Sequence, residues 1–257
     1  MALPAAMITG IARAARRPAC PAVYAHTGLH YPYVPLPENS LAAVDAAVNA
    51  GADGTEADAR FSSDNNPVIM HDATVNRTTT WHGAVRHYRT SALIKMRLTL
   101  KPNTEDPTSQ HVPTLYQYLE RVKMAHANVE IEVKPAHLTT AQLGKFVQRF
   151  RETDAWSFAT VSSFSPATLG QVARADARFA GRTALLTGSP VPDDTDAQED
   201  VAYRNLASAG VASLHAAGLR VDAWTPETPA AWKSLAAMGV DEITTNDING
   251  YLASVCR

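Results

Sequence analysis

The segment Val129-Glu130-Ile131-Glu132-Val133-Lys134 constrains this chain more than any other. β-Branched and charged residues alternate strictly along it. Read as a strand, it puts Glu130, Glu132 and Lys134 on one face and the apolar residues on the other. Residues 54–60 repeat the pattern, with Glu56, Asp58 and Arg60 on one face and Ala57 turned away. If the apolar faces pack against helices and the sheet closes, the charged faces line a barrel interior. Buried charge is tolerated there only with pairing or a metal, and Lys134 is the natural partner for one of the acids.

The rest of the chain alternates strand-like and helix-like segments, which argues for parallel strands joined by helical crossovers. Strands are expected at 21–26, 54–60, 129–134, 157–164, 183–187, 219–225 and 242–245, and a hairpin arm begins at Pro67 after an Asn-rich turn. Helices are expected from the Asn39-Ser40 cap to Ala50, and over 111–124 with Pro113 in the first turn. Further helices are expected over 140–150, 166–177, 197–217 and 229–238. Between Thr187 and Leu219 an eighth strand is needed, and Val211 to Leu214 is the weak candidate. Residues 73–112 carry little periodicity, a long excursion of the kind that covers a site. No glycine-rich first turn marks an open dinucleotide-binding sheet. The reading is an α/β fold of the TIM (β/α)8 barrel type. It is one domain over 1–257, with a barrel core at about 21–250 and a small insertion at about 61–112 after the second barrel strand.

Composition narrows the function. The 257 residues carry 23 Lys plus Arg against 25 Asp plus Glu, a net charge of -2 without the basic excess of a nucleic-acid binder. Arg13, Arg16 and Arg17 read as a solvated helix face. No apolar run approaches the ~20 residues needed to span a bilayer. Residues 2–11 are apolar and small, but arginines follow them, the wrong order for a secretory signal. They read as a peripheral helix or leftover processing sequence. Cys20 and Cys256 lie near the two ends, which neighbour each other in a closed barrel. A bridge between them would point to an oxidising compartment, secreted or extracytoplasmic; free cysteines leave a cytoplasmic location open.

Two histidines end apolar runs, His26 after AVYA and His71 after VIM. Their unperturbed pKa near 6.5 suits one to general base and the other to general acid work at neutral pH. Asp72 can orient a ring or close a surface turn. Acids on one strand face suit a hard divalent cation, Mg²⁺ or Ca²⁺; zinc would recruit the histidines instead.

These residues sit in a series of spaced motifs: His26-Thr27-Gly28, Pro37-Glu38-Asn39, Gly51-Ala52-Asp53-Gly54-Thr55-Glu56-Ala57-Asp58, Pro67 to Asp72, and Arg77-Thr78-Thr79. Pro113-Thr114-Leu115, Glu132-Val133-Lys134, Ser163-Phe164, Trp224-Thr225 and Gly239-Val240-Asp241 follow in order. In this series the chain resembles the glycerophosphodiester phosphodiesterase family over roughly residues 23–247. The resemblance implies one divalent metal held by Glu56, Asp58 and Glu132, an acid–base pair of His26 and His71, and Lys134 near the phosphate. It implies cleavage of a glycerophosphodiester to sn-glycerol 3-phosphate and an alcohol, with water or the substrate's own 2-hydroxyl as nucleophile.

Two departures matter. Thr27 stands where the family has an arginine that would grip phosphate as a bidentate fork. Arg60, Arg77 and Lys134 are the candidates to compensate, with Thr27 itself and Trp224 also placed at the substrate. Asn246-Asp247 replaces the family's Asp-x-Pro. The expected partner is therefore a small glycerophosphodiester, or a lysolipid if the enzyme works as a lysophospholipase D or sphingomyelinase-D-like enzyme with Tyr31, Tyr33, Val34, Leu36 and Trp81 as an apolar rim. A non-catalytic phosphoester-binding barrel is the third reading. No nucleic-acid partner and no transmembrane segment are expected.

Overall fold

The computed structural model describes residues 20–100, 109–190 and 197–256. Eight parallel strands close into a barrel: β1 (Ala22–Ala25), β2 (Gly54–Phe61), β4 (Asn128–Val133), β5 (Ala159–Ser163), β6 (Thr183–Thr187), β7 (Gln198–Ala202), β8 (Arg220–Trp224) and β9 (Glu242–Thr245). Closure is direct, since β1 pairs with both β2 and β9. A short β3 (Pro67–Ile69) runs antiparallel to the end of β2 as the expected hairpin.

The crossovers carry local stop and start signals. Ser40 caps α1 (Leu41–Ala50) by accepting the Ala43 N–H, and Gly51 ends it at φ 99°, a left-handed conformation that glycine adopts without a Cβ penalty. A capping box of Thr114 and Gln117 starts α3 (Leu115–Met124). Pro113 therefore precedes the cap and does not occupy the first turn. The helices α4 (Thr140–Thr153), α5 (Pro166–Ala175), α7 (Pro229–Met238) and α8 (Ile248–Val255) follow their strands. Several expected elements are shorter than their sequence spans. A 3-10 turn at Ala155–Ser157 precedes β5, another at Ala177–Phe179 follows α5, and β8 ends at Trp224.

The largest correction is β7. Residues 197–217 do not form one helix, and Val211 to Leu214 lie inside α6 (Ser208–Ala216). The missing strand is Gln198–Ala202. Its polar Gln198-Glu199-Asp200 start looks like a solvated helix turn, yet all three side chains are buried. Register explains this. Gln198 and Asp200 lie opposite Ala184 and Leu186 on one side and Arg220 and Asp222 on the other, so they share the interior face.

The apolar core lies between strands and helices. Ala57, Ile131, Val133 and Val161 pack with Leu119, Val122, Phe146 and Phe150, and on the opposite side Val23, Val221 and Ile243 pack with Trp232, Leu235 and Tyr251. Removal of this apolar area from water is the main favourable term in folding. The outward valine and isoleucine of the opening motif thus anchor β4, which leaves its acids inside. The excursion after β3 is not featureless. It contains a 3-10 turn at Val85–His87, α2 (Thr90–Leu93) and its own cluster of Val75, Val85, Leu93, Met96 and Leu98 against Val68 and Met70. The apolar stretch 2–11 and the three arginines that follow it lie outside the described residues, as does part of the loop after β6.

Cys20 and Cys256 form a disulfide with Cα atoms 5.7 Å apart, joining the lead-in of β1 to the end of α8. Among the described residues no helix is long and apolar enough to cross a membrane.

Candidate active site

Residues i and i+2 of a strand share a face, so β2 and β4 deliver their acids to one point. Register places Glu56 beside Glu130 and Asp58 beside Glu132. Glu56, Asp58 and Glu132 offer carboxylate oxygens that all lie within 4.8 Å of one another, and all three are buried. Neither histidine belongs to this group, so the donor set is all oxygen, as hard cations prefer. Glu130, two residues before Glu132 on the same face, accepts from Gln198 Nε2 at 3.4 Å.

The triad is electrostatically strained without a cation. Burial, then the charges of Asp58 and Glu132, push the Glu56 carboxyl well above the usual range. Burial also raises Glu132, against the opposing pull of Lys134. For Asp58 burial works upward, but Lys134, His71 and the hydrogen bond from Asn39 hold it below its ordinary value. Lys134 Nζ lies 2.8 Å from Asp58 Oδ1 and 2.6 Å from Glu132 Oε2, which offsets one of the three negative charges. A buried cluster of like charges with a single counter-ion fits a divalent cation.

Turn residues fix the acids. Asn39 donates from Nδ2 to Asp58 Oδ2 at 2.8 Å and accepts the Asp58 N–H at 3.3 Å. Thr27, at φ 53°, aims its backbone N–H at Glu56 Oε2, 3.1 Å away. A β-branched residue rarely adopts this conformation. The Thr27 hydroxyl meets His30 Nδ1 at 3.3 Å, and Thr27 does not line the cavity.

Both candidate histidines are held through Nδ1. His26 Nδ1 lies 2.9 Å from Asn246 Oδ1. Asn246 turns its amide nitrogen to the Glu227 carboxylate, so its oxygen faces the ring and Nδ1 must donate. His26 Nε2 then lies 3.9 Å from Glu56. Burial is the main influence on His26 and lowers its pKa. His71 Nδ1 lies 2.8 Å from Asp72 Oδ1.

A cavity of about 290 Å³ opens over the carboxylates. Its wall brings together His26, His71, Glu56, Glu132, Lys134 and Trp224 from the sequence expectations, and Asp58 is buried beside them. Thr27, Arg60 and Arg77 do not line it. Arg60 donates from Nε to the His71 carbonyl oxygen at 2.8 Å. Arg77 is committed to Glu38 and Asp72. Of the apolar rim expected from the sequence, Tyr31, Tyr33, Val34, Leu36 and Trp81 do not line the cavity either. Its apolar wall is Phe164, Leu186 and Trp224, with the Phe164 and Trp224 rings edge to face at 5.7 Å.

Sequence reasoning put Glu130 on the interior face but missed its neighbours there. Asp222 and Thr244 line the cavity with Glu130, and Asp200 and Glu242 are buried on the adjoining strands. Arg220 reaches Glu242 at 3.3 Å, Thr244 Oγ1 donates to Asp222 Oδ2 at 3.0 Å, and Gln198 Nε2 to Asp200 Oδ1 at 2.7 Å. Burial raises Asp200 to about 6. Burial, reinforced by Asp200, raises Asp222 to about 8. Period-two spacing of Asp222 and Trp224 on β8 was the available signal.

Similarity to known proteins agrees with this geometry. A model of the glycerophosphoryl diester phosphodiesterase family matches residues 26–249. A glycerophosphodiester phosphodiesterase of Caldanaerobacter subterraneus is 26% identical over 218 residues, covering 82% of this chain and 89% of that protein. Human glycerophosphodiester phosphodiesterase 1 is 31% identical over 142 residues, 54% of this chain and 42% of that protein. Among solved structures, an Oleispira antarctica phosphodiesterase in complex with the product sn-glycerol-3-phosphate superposes with a TM-score of 0.80 at 22% identity, covering 91% of this chain and 96% of that one. An Agrobacterium tumefaciens glycerophosphodiester phosphodiesterase gives 0.76 at 23% identity, covering 91% and 99%. With the family model spanning nearly the whole barrel and every strand of that barrel in place, the chain belongs to the glycerophosphoryl diester phosphodiesterase family.

Proposed function

We propose that this enzyme cleaves glycerophosphodiesters to sn-glycerol 3-phosphate and an alcohol, with His26 and His71 as the acid–base pair and a single Mg²⁺ or Ca²⁺ on Glu56, Asp58 and Glu132. One domain, the barrel with its insertion, carries the whole site. The observation that carries the reading is the buried carboxylate triad inside a cavity flanked by both imidazoles.

A cation on the triad would screen phosphoryl charge and activate the nucleophile. The chain's own groups do the rest. With Nδ1 occupied on both rings, each imidazole has only Nε2 to take a proton or give one. Lys134 adds positive charge beside the triad. Arg60, whose pKa burial lowers, feels the charges of Asp58 and Glu132 and is the arginine to assist in place of the missing fork. The Phe164, Leu186 and Trp224 wall takes the apolar side of the substrate. That wall also favours a second reading, a lysophospholipase D action on lysolipids whose acyl chain would lie along it.

The test is a product-resolved assay on glycerophosphocholine, glycerophosphoethanolamine, glycerophosphoglycerol and lysophosphatidylcholine, with Mg²⁺ or Ca²⁺ added or chelated. Release of glycerol 3-phosphate that stops on chelation is expected. Turnover of the lysolipid alone would select the second reading. Full turnover by both H26A and H71A would remove the acid–base assignment. The Cys20–Cys256 bridge supports a secreted or extracytoplasmic location.

A further inference from the structure

From His71 Nδ1 runs a line of paired groups that the proposed chemistry leaves without a role. Asp72 Oδ1 is 2.8 Å from His71 Nδ1. Arg77 grips both oxygens of Asp72, Nε to Oδ2 at 2.8 Å and Nη2 to Oδ1 at 3.1 Å. The other edge of the same guanidinium grips Glu38, Nη1 to Oε2 at 2.6 Å and Nη2 to Oε1 at 2.7 Å. Three separate segments meet here: the β1–α1 loop through Glu38, the end of the hairpin through His71 and Asp72, and the insertion through Arg77.

The geometry points to Glu38, Arg77 and Asp72 as a positioning relay that sets the tautomer and ring plane of His71. This inference rests on His71 being an acid–base group. A carboxylate beside an adjacent histidine is weakly held by itself, because both side chains reach solvent, at 27% and 42% exposure. A guanidinium is a planar fork, so two bidentate pairs on its two edges fix its plane and with it the plane of Asp72. Hydrogen bonds from Arg77 hold the Asp72 carboxyl down at about 2, so at neutral pH it is an anion that can only accept. His71 must then carry a proton on Nδ1, and only Nε2 is left to exchange protons with substrate. Arg77 is placed for this task and not for gripping phosphate: its donors on both edges already have carboxylate partners. Glu38 touches neither ring nor cavity and acts through Arg77 alone. His26 is held the same way by different chemistry, a neutral amide oxygen oriented by Glu227.

The test uses the full chain and the variants Asp72→Asn, Arg77→Gln, Glu38→Gln and the double D72N/R77Q, beside H71A. kcat and KM for glycerophosphocholine are measured with saturating divalent cation, and folding is checked by melting curves. Histidine ¹⁵N spectra report the tautomer, with the His71 signal assigned by its absence in H71A. D72N is expected to lower kcat about 100-fold, the low end of what a positioned acid–base group contributes, with KM within about twofold. Glu38→Gln and Arg77→Gln should lower kcat about 10-fold, and the double variant should be no slower than D72N, as residues acting in one line are not additive. The His71 signal should show Nδ1–H in the parent and a tautomer mixture in D72N. A KM rise at constant kcat in Arg77→Gln would make Arg77 a substrate ligand and overturn the relay. So would independent, multiplying losses in the double variant, or an unchanged tautomer in D72N. If H71A kept full turnover, the acid–base reading would fail, while the spectra would still decide whether Asp72 sets the ring. Glu38→Gln, nearly isosteric, keeps the question answerable should Arg77→Gln not fold.

Discussion

Replacing Asp222 with asparagine should make the protein less sensitive to alkaline unfolding. Asp222 is 1% exposed, and one of its oxygens, Oδ1, has no hydrogen-bond partner among the described residues. Its other oxygen accepts from Thr244. Burial first, then the charge of Asp200, raises its pKa from 3.8 to about 8. A carboxyl with a raised folded-state value binds its proton more tightly folded than unfolded. Its contribution to stability is therefore complete below the unfolded pKa and is lost as pH climbs from about 4 to about 8. At 1.36 kcal/mol per tenfold change in proton affinity, the whole loss is on the order of 5 kcal/mol. Asparagine copies the shape of the protonated acid and cannot ionise. Urea unfolding followed by circular dichroism between pH 4 and pH 9, with a chelator present, measures the effect. The parent should lose several kcal/mol over that range more than D222N does, and D222N should be the more stable protein at pH 9. Parallel stability curves for the two proteins would refute the reasoning, because they would mean that Asp222 ionises in the folded barrel as readily as in the unfolded chain.

Three further outcomes are expected. Removing the bridge with the double substitution C20S/C256S frees a loop of 236 residues of sequence separation. The chain-entropy model puts the loss at about 5 kcal/mol, and an unchanged urea midpoint would contradict it. Gly28→Ala would place a Cβ 2.7 Å from Ala43 Cβ at φ 78°, so α1 must shift, at a cost of roughly 1–3 kcal/mol visible in a thermal melt. Phe150→Ala opens the outer aromatic cluster of Phe146, Trp156 and Phe179, which should cost roughly 3–5 kcal/mol while kcat per folded molecule stays unchanged.

The barrel and its acids were legible because β2 and β4 alternate so strictly that side-chain direction follows from position alone. β7 was not legible for the same physical reason turned around. Strands are found by their apolar residues, and the interior face of this barrel is polar, so Gln198 and Asp200 hid the strand that only Val201 advertised. The two histidines could be read, but not what holds them. Asp72 is adjacent in sequence, whereas Arg77 and Glu38 lie 39 residues apart and Asn246 lies 220 residues from His26. Such pairings depend on closure of the barrel, which local pattern does not encode. Thr27 looked like a weakened phosphate grip. Its structural task is carried by its backbone N–H, which any residue but proline supplies.

The Cys20–Cys256 bond also changes what a cut does. Between those two residues the polypeptide is a covalent ring, since β1 and α8 are joined outside the backbone. One cleavage in any surface loop of that ring opens it without releasing a fragment, and the result is a circularly permuted chain with every strand still tethered to its neighbours. A protease must cut twice to detach any part of the barrel, and the first cut can be withstood for as long as the packed strands keep the second site closed.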